Sequence, residues 1–130
     1  MDFTDYGALN ALKWLTNQTP AGPPSALWMK LHLGDPGPDA TDNPAVETRR
    51  IAFIAGSATN DGTTGEAYVQ NAAALRWVTM AASESISHVS FWDDETAGNP
   101  WFKGALAGVI AVLANNDLDF AIGDGEIRLN

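Results

Sequence analysis

The sequence predicts a mainly β protein: an antiparallel, jelly-roll-like β-sandwich of seven or eight strands behind one N-terminal helix. Apolar residues recur with a period of two in several short runs, and turn signals separate those runs every eight to twelve residues. No second stretch of ten or more residues keeps a helical period free of breakers, so a parallel fold with a helix between successive strands is disfavoured. Twelve glycines and seven prolines, scattered rather than periodic, fit many short elements joined by turns.

The helix is expected over residues 3–17. Phe3, Tyr6, Leu9, Ala11, Leu12 and Leu15 fall near one face at three-and-four spacing, behind an Asp2 or Thr4 cap. Proline then stops it in Asn17-Gln-Thr-Pro-Ala-Gly-Pro-Pro24, which reads as a stiff linker. Residues 1–24 are therefore taken as helix and linker, and 25–130 as the sandwich. The first strand sets Leu27, Met29, Leu31 and Leu33 against Trp28, Lys30 and His32. Gly34-Asp-Pro-Gly-Pro38 opens a long polar loop reaching Asn43-Pro44, of the kind that is either functional or mobile.

Residues 48–55 alternate again, and 57–66 read as an unstructured loop rich in Gly, Ser, Thr, Asn and Asp. Strands follow over 74–80 and 85–92, the second setting Ile86, His88, Ser90 and Trp92 against Ser87, Val89 and Phe91. After the charged turn 93–98, runs over 101–106, 109–113, 118–122 and 127–129 read as a closing meander.

Composition narrows the function. Seven basic against sixteen acidic residues give a net charge of -9 and disfavour nucleic acid as a partner. No cysteine is present, which removes disulfides, thiolate zinc sites and thiol nucleophiles. No apolar run nears the roughly 20 residues of a membrane span, and no secretory leader pattern opens the sequence. No membrane partner is expected.

Candidate chemical groups are few, and the reading assigns no catalytic residue, cofactor or metal. His32 and His88 lie within strands, where a hydrogen-bonded structural histidine is the ordinary case. Asp35, Asp39 and Asp42 supply oxygens at loop spacing but lack an EF-hand register, and aspartate caps turns in such loops. Asp93, Asp94 and Glu95 read as a solvated hairpin tip rather than a desolvated carboxylate pair; a hydrolase using Asp93 or Glu95 is the least favoured reading. No serine sits in a nucleophile elbow, and prolines spoil Gly34-Asp-Pro-Gly37 as a phosphate cradle.

Five tryptophans is a high count, and packing is the leading role for most. Trp14 stands out as an interface residue, because its helix carries more apolar surface than a lone helix hides. The interface candidates are Phe3, Tyr6, Leu9 and Trp14 on the helix, Asp35 and Pro36 in the long loop, and Trp28 and Trp92 in the strands. Trp28 and Trp92 also suit stacking on a host-surface glycan.

Four segments carry a resemblance: Leu31-His-Leu-Gly-Asp-Pro-Gly37, Asn43-Pro-Ala-Val-Glu-Thr-Arg-Arg50, Ser87-His-Val-Ser-Phe-Trp-Asp93 and Gly98-Asn-Pro-Trp-Phe-Lys-Gly-Ala-Leu106. In this order they resemble a family of small tailed-phage virion proteins labelled tail fibre or minor tail proteins. Two local departures are Leu33, where the family often has threonine, and Asn99-Pro-Trp-Phe, where a glycine-rich aliphatic stretch is usual. The resemblance implies a non-enzymatic virion building block, assembled in the host cytoplasm in several copies beside other virion proteins. Tail or baseplate is the favoured place, with capsid decoration and a carbohydrate-binding module as alternatives.

Overall fold

A computed structural model describes residues 1–129, with ten strands and one helix. The elements are β1 (Asp2–Phe3), α1 (Asp5–Leu15), β2 (Leu27–His32), β3 (Ile51–Phe53), β4 (Thr59–Asn60), β5 (Ala67–Gln70), β6 (Leu75–Trp77), β7 (Glu84–Trp92), β8 (Pro100–Val112), β9 (Leu118–Phe120) and β10 (Glu126–Leu129). A five-stranded antiparallel sheet runs β1-β8-β7-β2-β3, accompanied by a three-stranded sheet β10-β5-β4 and a pair β6-β9. The mainly β, antiparallel expectation with one N-terminal helix holds.

The core follows from the period-two pattern. Met29 and Leu31 from β2, Val89 and Phe91 from β7, and Phe53 from β3 meet Leu75 and Trp77 of β6, Leu118 and Phe120 of β9 and Ile127 of β10. Phe53 meets Phe91 edge-on at 5.1 Å, and Trp77 meets Phe120 at 6.0 Å. The side chain of Asn71 joins the small sheets: its amide donates to the carbonyls of Ala73 and Ala121, and its oxygen accepts from the N–H groups of Gly123 and Gly125. All four of its hydrogen-bonding positions are filled.

Several expectations need correction. The closing segments do not form a meander: β8 pairs with β7, β9 with β6 and β10 with β5, so each successive strand joins a different sheet. The runs 101–106 and 109–113 are one strand, and residues 57–66 are not wholly irregular, since β4 pairs with β5. Alternation in β7 breaks because Ile86 opposes Ile110 while His88 opposes Ala105, a two-residue step against a five-residue one. That bulge turns Ile86 into the core with Val89 and Phe91 rather than onto the face of His88. Leu33 lies past the end of β2 and is exposed.

The helix begins later than its periodicity predicts. Phe3 belongs to β1, opposite Phe102, and Thr4 is the N-cap, its Oγ1 accepting from Gly7 N–H while donating to the carbonyl of Pro100. α1 lies on β8 through Gly7 and Asn10, not through its leucines. A Cβ at Gly7 would overlap the carbonyl oxygen of Trp101, so only glycine permits this approach. Buried Asn10 donates to the carbonyl of Tyr6 and accepts from Ala21 N–H, which ties the proline-rich segment back against the helix.

Candidate functional site

No helix among the described residues is long and apolar enough to cross a membrane. Nor do three metal-ligating side chains gather anywhere among them. Several of the polar groups flagged by the sequence, Asp35, Asp93, Asp94 and His32 among them, have structural partners. Asp35 accepts from Gly37 N–H and pairs with Lys103 at 3.0 Å, contacts that hold its carboxyl below the usual range. Asp93 accepts from Asn99 N–H and, at 3.0 Å, from the Trp101 indole. Asp94 accepts from the N–H groups of Thr96 and Ala97, and Glu95 is exposed. The 93–98 segment is thus a capped hairpin turn, as the sequence predicts, and the first two carboxylates are oriented by their own loop.

His32 is fully buried because residues 34–47 fold across the outer face of β2 and β7. Trp92 Nε1 donates to Ser90 Oγ at 2.9 Å, which leaves the Ser90 proton for His32 Nε2 at 2.8 Å. His32 Nδ1–H then donates to the carbonyl of Asp42 at 2.9 Å. Burial outweighs that last bond and pushes His32 down to about 4, so the ring is neutral at pH 7. The serine–histidine contact is a buried brace that fastens the long loop. Outside the buried brace, His88 accepts or shares a proton with Ser87 Oγ at 2.8 Å.

A second brace lies at the other end of that loop. Buried Glu47 receives Arg49 through Nε at 2.7 Å and also accepts from Ala81 N–H, and the Arg49 contact holds its carboxyl below the ordinary range. On the small sheets, Arg128 gathers Asp61, Glu66 and Glu126 and lies over Tyr68.

The interface candidates divide into three groups. Phe3, Tyr6 and Trp14 collect at the same end of β8: Phe3 packs on Phe102 at 5.1 Å, while Tyr6 meets Trp101 edge-on at 5.3 Å and Trp14 stacks on it at 6.4 Å. Trp28 and Trp92 are cross-strand partners, but Trp92 is buried and the Arg50 guanidinium lies 4.0 Å over its ring. Arg50 is itself held by the carbonyls of Asp94 and Ala97. Pro36 is buried within the chain, whereas Asp35 is at the surface.

Leu9, Leu12 and Leu15, which share one face of the helix, are turned to solvent: Leu12 is 60% and Leu15 84% exposed, while the close approach at Gly7 and the rings of Tyr6 and Trp14 on Trp101 make the contact with β8. Leu15 and half-exposed Trp14 border an apolar cleft of about 370 Å³ between α1 and Pro24. A second apolar surface was missed: the distal half of β8 exposes Val109 (67%) and, just beyond, Leu113 (61%). Its signal was the uncharged run Gly104–Ala114, which reads as two ordinary strands.

An antiparallel β domain with one capping helix, braced loops and apolar surface near both ends of its longest strand is the class of protein these features define. The family is narrower. The family model described as podophage GP4 fiber I protein gp80 matches residues 2–128, and the chain belongs to that family; it is a phage virion fibre protein. No curated protein matches the chain.

Proposed function

We propose that the chain is a non-enzymatic fibre subunit of the phage tail, carried in several copies and anchored to neighbouring virion proteins through the outer face of α1. The observation that carries this reading is the inverted helix. A solvent-facing helix ordinarily turns its leucines inward. Here Leu9, Leu12 and Leu15 are exposed, with Leu15 and half-exposed Trp14 lining an apolar cleft, while buried Gly7 and Asn10 and the rings of Tyr6 and Trp14 on Trp101 make the internal contact. Exposed apolar surface of that kind is typical of a protein contact. The occupied carboxylates and the inaccessible Ser90–His32 pair favour a role without chemistry. The cation over Trp92 leaves that ring poorly placed for a sugar.

The test is to complement phage lacking the protein with Leu12→Lys/Leu15→Lys and to count copies in purified particles by quantitative mass spectrometry. Two charges in the contact cost more than the ~1.4 kcal/mol that changes occupancy tenfold, so incorporation falls by at least about tenfold. Unchanged incorporation overturns the anchor. Gold-labelled antibody on wild-type particles locates the subunit: label at the tail is expected, and label over the shell replaces the tail reading with capsid decoration.

A further inference from the structure

β8 has two differently treated edges. Along one it pairs with β7. Along the other, β1 takes only Phe102 and Lys103, so among the described residues no strand pairs with that edge from Gly104 to Val112. The bulge opposite Ser87 adds to this, since residues 106–109 have no registered partner on β7. An unpaired edge is a template for another strand, and proteins ordinarily protect one with lysine, proline or a covering element. Met1 lies against Gly104, but no lysine, proline or paired strand protects Ala105–Val112, which has no charged or polar side chain.

The side chains match the backbone. Along the segment Ala105, Ala107, Val109 and Ala111 are exposed, while Leu106 and Ile110 are half-buried and Val112 is buried. Apolar residues on both faces are the pattern of a strand covered on both sides. The sequence is also matched to itself. Reflected about Gly108, Ala105 meets Ala111, Leu106 meets Ile110, and Ala107 meets Val109. Nothing lies within 4 Å of where a Gly108 Cβ would project, so no side chain packs over the sheet face at the centre of this match.

We infer that the free edge of β8 is a homodimer contact, in which the same edge of a second copy pairs antiparallel about a two-fold axis at Gly108. The self-match names the occupant as a second copy. The run Gly104–Val112 brings no charged side chain of its own to the junction, while Asp124, Glu126 and Arg128 line the cleft beside Ala105–Ala107. The two-fold arrangement satisfies the requirement that an isologous contact be self-complementary. The inference deepens the fibre-subunit reading by naming a self-contact distinct from α1.

Directly opposed residues of an antiparallel pair have Cα atoms about 4.5–5.5 Å apart, within disulfide range. The chain has no cysteine of its own, so Gly108→Cys is a clean probe. Under mild oxidation, Gly108→Cys is expected to form a covalent dimer much faster than Thr63→Cys, an exposed control on another loop. In sedimentation, wild type shifts toward dimer with concentration, Val109→Lys stays monomeric with an unchanged thermal transition, and Leu15→Lys still dimerises. A wild type monomeric throughout, or crosslinking no faster at 108 than at 63, overturns the contact. Loss of dimer in Leu15→Lys but not in Val109→Lys assigns self-association to α1 instead. Unchanged particle incorporation of Leu12→Lys/Leu15→Lys with dimerisation intact counts against the α1 anchor alone and leaves the self-contact standing.

Discussion

Near its start β8 is covered on both edges; from Ala105 onward β7 alone pairs with it, and residues 106–109 lack even that partner. In the first stretch β7 and β1 take the edges, Phe102 packs on the core, and Trp101 lies under α1. In the second, the inner packing of Leu106, Ile110 and Val112 and the pairing with β7 on either side of the bulge remain. One strand thus serves as interior framework at its start and as available surface at its end. Stability should therefore be sensitive to substitution near Trp101 and almost indifferent to it near Val109.

The largest effect tests the covered half. Trp101→Ala removes the ring on which Tyr6 and Trp14 pack and leaves Asp93 without its indole donor. Unfolding in urea should show a loss of about 3–5 kcal/mol. A loss under 1 kcal/mol would mean that α1 is not clamped by this residue.

Acidification is next. The His32 value is depressed from 6.5 to about 4, so neutral His32 contributes stability that is fully present above pH 6.5 and is lost as pH falls toward 4. The difference is on the order of 3 kcal/mol. Urea midpoints measured between pH 7 and pH 4 should fall, and His32→Gln should remove most of that slope. Protonation would also charge the ring that holds the Asp42 carbonyl, so proteolysis within 34–47 should accelerate over the same interval.

Gly7→Ala follows, at about 1–3 kcal/mol, because the added methyl must displace α1 from the Trp101 carbonyl. The same substitution at Gly108, where space is open, should cost well under half of that, and reversal of this order would sink the contrast between the two halves. Smallest is Val109→Lys, whose effect on monomer stability should stay within about 0.5 kcal/mol in denaturation at low concentration.

Local rules made the strands legible wherever one face was buried and the other not. Leu75–Trp77 and Leu27–His32 obey the period of two, and Thr4 obeys the capping preference. The failures arise where a distant contact decides. Nothing near Gly7 announces that the Trp101 carbonyl will sit against it, so the sequence alone does not tell which side of α1 meets β8. Leu106–Val109 looks like the end of one strand and the start of another, because a bulge and a break leave similar local sequence. Likewise, Thr59–Asn60 and Ala67–Gln70 are too short and polar to announce a sheet before their pairing is known. Asp35 caps its turn as read, and Asp93–Glu95 sits at a hairpin turn as read, since the partners of Asp35, Asp93 and Asp94 lie within a few residues.

The placement of the last strands bears on synthesis. Because β8, β9 and β10 each complete a different sheet, none of the three sheets has its full set of strands before residues 100–129 are being synthesised. Closure must therefore be late and nearly simultaneous, with long loops to organise at that moment. During that interval the uncharged stretch of β8 is available to any nascent neighbour. Chains translated side by side on one messenger would meet at their stickiest moment, which ties the yield of correctly built subunits to the spacing of ribosomes.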